Sequence, residues 1–397
     1  MTAFGLIGIM ISIAGFYFAR ANESRGRFIF FVLLLLIHIG AAVATYSYTQ
    51  SFGGDALIYY YDNLQIYGRA TGLSTVFLVN FVQTLKTYIG GSFFDYFLLF
   101  QSMGFWGLLF MIRAFDDIHQ ELGQPTFKGV YLLLFLPGLH YWTSAIGKDA
   151  PVFLSVAMCT WAAFRLQTRY LVFGAGVVIV LLIRPHIALM ALIAFALTLL
   201  LGRNISLLTR AGLMAVVLAG IGSVATLVEG TVGGLNLSST DSMTELLESR
   251  SQVSEESGAD LSIVEGSFPV KLFSLLFRPF FIDANGALGY IASLENVVLL
   301  TIVLTLIRRF RTAFAVARAA AFARFALFFF IMITGLLALF NYNVGLGLRQ
   351  KMMMMPALLV FFVAVMAVRH LRKEMASGPS AADHGGAPVA GQGYRRA

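Results

Sequence analysis

The sequence predicts an all-α fold, a polytopic transmembrane helical bundle, and three observations predict it. Only 12% of the 397 residues are charged, about half the share of a soluble domain. Mean hydropathy is +0.81. Runs of roughly 20 apolar residues, the length that crosses a hydrocarbon core of about 30 Å, recur along the chain. A transmembrane β-barrel would alternate polar and apolar residues along each strand instead of running solidly apolar. The single cysteine, Cys159, sits inside an apolar run, which excludes a disulfide framework and a cysteine-based zinc site.

About eleven spans follow in order: 3–19, 28–46, 93–112, 129–146, 150–164, 170–183, 187–202, 211–228, 288–307, 325–341 and 352–368. The first has no basic segment before it and a positive flank after it, so it reads as an N-out anchor rather than a signal peptide. Basic residues then collect on alternate connections. They are Arg20, Arg25 and Arg27; Arg113 and Lys128; Arg165 and Arg169; Arg203 and Arg210; Arg308, Arg309, Arg311, Arg318 and Arg324; and Arg369, Arg372, Lys373, Arg395 and Arg396. By the positive-inside rule these connections are cytoplasmic, giving an N-out/C-in topology. Most of the net charge of +8 is thereby a topology signal, and a nucleic-acid partner is not implied. The expected organisation is one membrane domain, 1–375, with long outer loops at about 47–92 and 229–287, and a disordered cytoplasmic tail at 376–397. No internal repeat is evident.

The basic residues left on the outer side carry the functional information. They are Arg69, Lys86, Lys148, Arg184, Arg250, Lys271, Arg278, Arg349 and Lys351. A charge at the membrane costs on the order of 3 kcal/mol unless it is paired or bathed in water. In "LLIRPHIALM", residues 181–190, Arg184 and His186 flank a proline inside an apolar stretch. A hairpin of short spans, or a pair of broken helices turning at Pro185, fits that pattern, and non-helical backbone at membrane depth has to be buried or face a wet cavity. Arg184 is therefore expected to line an outward pocket, with snorkelling to the headgroups as the plain alternative.

Three more outward segments share this character. "FLPGLHYWTSAIGKDAP", residues 135–151, holds His140, Trp142, Lys148 and Asp149; an aromatic belt and a helix cap explain the same residues. "NYNVGLGLRQK", residues 341–351, reads as an outer loop with Arg349 and Lys351 facing one side, suited to gripping phosphate. "SFGGDALIYYYDNLQIYGRA", residues 51–70, sets Asp55 and Asp62 among Tyr59, Tyr60, Tyr61 and Tyr67, a combination that offers sugar rings flat faces and their hydroxyls acceptors. An interfacial helix with belt tyrosines is the alternative there. Residues 73–89 read as an amphipathic helix lying on the outer face. The acidic loop 229–272 reads as a solvated lid or spacer, and Glu295, about two turns into a span, is expected to pair with an outer cation. Asp116, Asp117 and His119 read as solvated cytoplasmic surface.

Four outward turns thus bring cations, carboxylates and aromatics to one face. That chemistry suits a lipid-linked pyrophosphate carrying a sugar. No Walker or Rossmann fingerprint and no HExxH zinc pair is present, so no cofactor or metal is called for.

The Gly54–Asp55 pair with Tyr59 and Tyr60, the "LPGLHYWTSAIGKD" turn, "LIRPHIAL" and "GLRQKMMMMP" together resemble the EpsG and Wzy-type polymerases of bacterial exopolysaccharide and O-antigen synthesis. The resemblance extends loosely to about residue 370. It implies polymerisation of undecaprenyl-pyrophosphate-linked oligosaccharide repeats at the outer face of the bacterial inner membrane. It also implies metal-free work by outer-face arginines, with a chain-length regulator or other assembly proteins as partners. Two features differ from that family: Lys148–Asp149 stands where an Arg–Gln pair is usual, and the long loop is acidic. Catalytic candidates are Asp55, Asp149, Arg184 and Arg349. Substrate-binding candidates are Tyr60, Asp62, His140, Trp142, Lys148, His186, Arg278 and Lys351. The alternatives are a GT-C glycosyltransferase using a polyprenyl-phosphate sugar, and a lipid-glycan flippase, which would need charges along a path through the spans.

Overall fold

The structure is a computed structural model that describes residues 2–20, 23–61, 72–122, 128–202, 266–284, 286–340 and 343–377, with isolated positions between 206 and 222. Every regular element among the described residues is helical. In chain order these are α1 (Ala3–Phe18), α2 (Arg25–Phe52), α3 (Asp55–Tyr61), α4 (Thr75–Tyr88), α5 (Phe93–Glu121), α6 (Pro137–Tyr141), α7 (Asp149–Ala162), α8 (Leu166–Ile183) and α9 (Pro185–Leu200). After the undescribed stretch come α10 (Phe268–Phe277), α11 (Gly286–Arg308), α12 (Phe310–Ala319), α13 (Ala321–Leu339), α14 (Val344–Lys351) and α15 (Met355–Ser377).

Six helical segments are long and apolar enough to cross a membrane: Arg25–Phe52, Phe93–Glu121, Asp149–Ile183, Gly286–Arg308, Ala321–Leu339 and Met355–Lys373. Ala3–Phe18, Pro185–Leu200 and Phe268–Phe277 are apolar but shorter. The segment Asp149–Ile183 bends at 163–165, and its halves pack on each other as a hairpin. The register is antiparallel: Arg169 donates to the Trp161 carbonyl at 3.2 Å, and the Cys159 thiol reaches the Phe173 carbonyl at 3.7 Å.

Helix α5 is the axis of the bundle. Its apolar window is 89% buried, with α1, α2, α7 and α15 packed around it. By contrast, the windows of α2 and α11 are 33% and 28% buried. Leu33, Leu36 and Ile37 on α2, and Leu294, Leu304 and Ile307 on α11, stand on the outer surface. A soluble monomer rarely exposes apolar patches of that extent, and lipid is the medium that accommodates them.

Contacts at the helix ends sort the bundle into two faces. The chain starts at what we call the upper end. There Thr2 caps α1 and donates through its backbone N and its Oγ1 to Asp95 (3.0 and 2.8 Å), and Asp95 forms a capping box with Ser92 at the start of α5. At the lower end Arg27, entering α2, grips Asp116 near the end of α5 with both Nη atoms (3.2 and 2.5 Å). Tyr131 OH donates to Asp116 at 2.5 Å, and Arg169 pairs with Asp117 at 2.6 Å. Asp116, Asp117 and His119 are thus buried. The expectation of a solvated loop is corrected: α5 runs on to Glu121, and its carboxylates receive arginines from α2 and α8.

Two other expectations change. Residues 129–146 form no continuous spanning helix. A 3₁₀-helix, Lys128–Phe135, stops before Pro137, the five-residue α6 follows, and the backbone from 142 to 148 is a series of turns. Even so, the segment links Tyr131 at the lower end to Lys148 at the upper end. Its non-helical backbone survives because Leu134, Leu139, His140, Thr143 and Ile146 are buried in protein. Helix α2, in turn, reaches Phe52, so the first outer connection begins at Gly53, six residues later than expected; Gly53 and Gly54, at φ 80° and 137°, make that turn. Helix α4 matches the expected amphipathic segment, with Leu78, Val79 and Val82 buried. The expected span 211–228 falls largely outside the described residues. The loop up to residue 265 and the tail from 378 fall outside them entirely.

Candidate functional site

The upper end gathers ionic side chains from four separate segments of the chain. Arg184 and Pro185 explain the first. A residue before proline is driven out of the helical region, and Arg184 sits at φ −143°, ψ 80°, between α8 and α9. Pro185 then serves as the first residue of α9, where no backbone N–H is needed. The break turns the Arg184 side chain back toward the start of α7, where its Nη2 lies 3.4 Å from Asp149 Oδ1.

Asp149 occupies the first turn of α7, where a carboxylate meets the positive end of the helix dipole. It is buried, and its second oxygen, Oδ2, accepts from Arg349 Nε. Arg349 also donates from Nη1 to Asp55 Oδ2 at 2.6 Å. Asp149 is therefore a shared acceptor for two guanidinium groups, and Arg349 bridges two carboxylates. Side-chain exposure separates the two: Asp55 is 52% exposed and Asp149 only 6%. Arg349 is held more firmly protonated than a free arginine, first by Asp149 and then by Asp55.

Lys148 adds a third cation. Its Nζ donates to Ser74 Oγ and Thr75 Oγ1 at the start of α4 (3.0 and 2.7 Å). Burial, then the nearby charges of Arg184 and Arg349, lower its pKa to about 8. Tyr59 lies within the field of Asp55, Arg349, Asp149 and Arg184, and its phenol is pushed up, chiefly by burial and next by Asp55. His186 lies within range of the charges of Arg184 and Lys148. Three cations face two carboxylates, which leaves the cluster with one net positive charge.

No family model, curated protein or solved structure matches this chain. The site is accordingly read from its own geometry.

All four residues named as catalytic candidates, Asp55, Asp149, Arg184 and Arg349, meet in this cluster, with Lys148 and His186 beside them. Others do not. Lys351 is fully buried on the far side of α14. Its Nζ donates to Asn296 Oδ1 (2.5 Å) and to the carbonyls of Leu276 (3.2 Å) and Arg278 (3.4 Å). The reason is helical geometry: positions two apart on a helix point about 200° apart, and "NVGLGLRQK" is a helix capped by Asn343, not the expected loop. His140 is buried against His38, with Nδ1 atoms 3.0 Å apart. Its Nε2 lies 2.9 Å from the Leu134 carbonyl and so carries the hydrogen, which leaves His38 Nδ1 as the donor between the rings. Tyr60 is buried and donates its hydroxyl to the Gly91 carbonyl at 2.9 Å. Arg278 pairs with Asp283 through Nε at 2.5 Å. Trp142 packs edge-on against Tyr141 and onto the main core. Asp62 lies outside the described residues. Glu295, expected to pair with an outer cation, accepts from the Gly138 backbone at 2.6 Å, with Lys351 as the charge it feels.

Sequence reasoning named Tyr59 without giving it a site role and missed Ser74 and Thr75. The signal for the latter was present: two hydroxyl residues at the start of a predicted amphipathic helix are what an incoming lysine can bind.

Proposed function

We propose that this protein is a membrane glycosyltransferase that polymerises undecaprenyl-pyrophosphate-linked oligosaccharide repeats at the outer face of a bacterial inner membrane. The observation that carries the reading is the junction of Arg184, Arg349, Lys148, Asp149 and Asp55 at the end of an apolar bundle. Arg184 and Arg349 present fixed hydrogen-bond donors, and guanidinium groups match phosphate oxygens bidentately. Asp149, buried between them, orients both. Asp55, half-exposed, is the group free to act on an acceptor sugar. In the reaction the acceptor hydroxyl gives its proton to Asp55 and its oxygen bonds to the donor anomeric carbon. The bond from that carbon to the phosphate oxygen breaks, and the polyprenyl pyrophosphate leaves as an anion. Arg184, Arg349 and Lys148 stabilise the charge as it develops.

The topology that goes with this reading has about eleven crossings, the N-terminus outside and the C-terminus inside. In it the upper end faces away from the cytoplasm, and a chain-length regulator is a partner in assembly. One observation favours a second reading, a GT-C transferase that adds a single sugar from a polyprenyl-phosphate donor. Asp55 is an exposed carboxylate in the first outer connection and is followed by the amphipathic helix α4.

Mass spectrometry of lipid-linked oligosaccharides in a strain lacking the protein separates the readings. A complete single repeat accumulating on its pyrophosphate carrier means polymerase, and a repeat short of one sugar means single-sugar transfer. A complete repeat held at the cytoplasmic face means a flippase. An unchanged lipid pool overturns all three.

A further inference from the structure

The lower end carries a cavity that takes no part in the chemistry above. It has a volume of about 180 Å³, and its lining includes His119, Arg369, His370 and Lys373 together with the apolar side chains of Val363 and Met366. No carboxylate lines it among the described residues. Asp116 and Asp117 at that end are engaged by Arg27 and Arg169. His119 supplies an independent sign of a ligand. It is 2% exposed, and its Nδ1 lies 2.7 Å from the Phe115 carbonyl, so that nitrogen carries a hydrogen. Its Nε2, buried at the cavity, has no hydrogen-bond partner. A buried polar atom without a partner costs on the order of 1–3 kcal/mol, and a bound anion would relieve that cost by drawing a second proton onto the ring, so that Nε2–H donates to it.

We propose that this cavity binds the phosphate headgroup of an anionic phospholipid. The four basic groups suit a phosphate. The apolar wall, on the middle turns of a helix long enough to span the membrane, suits acyl carbons. A free phosphate would gain nothing from Val363 and Met366. Basic pockets between membrane helices bind anionic headgroups at the cytoplasmic leaflet, where such lipids concentrate, and the lower end is where this chain collects its arginines. The inference depends on the membrane assignment and is independent of the glycosyl-transfer reading.

Native mass spectrometry of the full chain in detergent tests it, with phosphatidylglycerol and phosphatidylcholine offered at equal concentration. Wild-type protein is expected to retain phosphatidylglycerol preferentially. Arg369→Gln and Lys373→Gln should each lower that preference about fivefold. His119→Gln, a neutral side chain of similar reach, should lower it without altering the elution volume on size exclusion. Equal retention of the two lipids by wild type, or an unchanged preference in all three variants, would overturn the proposal. So would displacement of the lipid by inorganic phosphate at comparable concentration, which would assign the cavity to a free anion.

Discussion

At the residue scale the upper cluster separates positioning from chemistry by burial. Asp149 is enclosed and shared by Arg184 and Arg349, whereas Asp55 is open on one side. Removing one partner of a buried ion pair costs about 3–5 kcal/mol because the other charge is stranded. Asp149→Asn is therefore expected to lower both thermal stability and polymer yield, while Asp55→Asn lowers yield with a melting temperature near that of wild type. Arg349→Ala should cost about 10²–10³ in transfer rate, the usual effect of losing one preorganised donor to a leaving anion. Thermal scans of the detergent-purified variants beside an in vitro polymerisation assay read both quantities. Lys148 makes the cluster pH-dependent. Its pKa, lowered to about 8 from its ordinary 10.5, means that the third cation is lost as pH rises through 8. Transfer should fall along an alkaline limb near that pH, and Lys148→Arg should move the limb upward by more than one unit. The sign for stability is opposite. The unfolded chain binds more protons between pH 8 and 10.5, so the burial cost of charged Lys148 is present below pH 8 and is relieved across that window. These residues were legible in the sequence because a charge beside a helix breaker in an apolar run has few uses. Lys351 was misread because a loop and a short helix look alike in eleven residues containing two glycines. Only the helix sends positions 349 and 351 in opposite directions.

At the scale of elements, the apolar runs placed α1, α7, α8, α9, α11 and α13 to within a few residues, whereas α2, α5 and α15 run six to nine residues past their expected ends. The failures came where apolar residues fold without a regular ladder. Residues 129–146 read as a span by length and apolar content, yet Pro137 and the close packing on α5 give a 3₁₀-helix, one short helix and a buried irregular stretch. Gly104 shows why the stretch can lie so deep. A Cβ on Gly104 would overlap the Thr143 carbonyl and come within 2.9 Å of His38 Nε2. The missing side chain is what lets the irregular backbone and the His38–His140 pair sit against the central helix. Small residues at such crossings allow backbones to approach. Gly104→Ala is expected to destabilise the protein by about 1–3 kcal/mol through overpacking. Gly40→Ala, on the open side of α2 with nothing within 4 Å of its Cβ, should be close to neutral. Heat-induced aggregation of the two variants in the same detergent compares them directly; equal midpoints would show that the crossing relaxes without cost.

At the scale of the whole molecule, the bundle is polar in the literal sense: one end holds a cluster of three cations and two carboxylates, the other a concentration of arginines. The sequence carried this asymmetry in the alternation of basic connections, but it could not show that the acidic residues 116 and 117 lie inside the basic end as its internal counter-charges. The proposed chemistry requires the upper end to face away from the cytoplasm, and that requirement can be tested on the intact cell. Cys159 is the single cysteine of the chain, and it is buried between α7 and α8, so it should not react with a membrane-impermeant maleimide. A cysteine introduced elsewhere then reports alone. Thr87 is an exposed position on α4 at the upper end, and Arg372 an exposed position near the end of α15 at the lower. Thr87→Cys is expected to be labelled in intact spheroplasts. Arg372→Cys should be labelled only after the membrane is permeabilised. The reverse pattern would place Asp55 and Arg349 on the cytoplasmic side, where extracytoplasmic polymerisation cannot occur. It would also move the lower cavity to the outer leaflet, away from the surface that favours anionic lipid. Labelling of both positions in intact cells would show that the two ends do not lie on opposite sides of one membrane, and the spanning bundle itself would have to be redrawn.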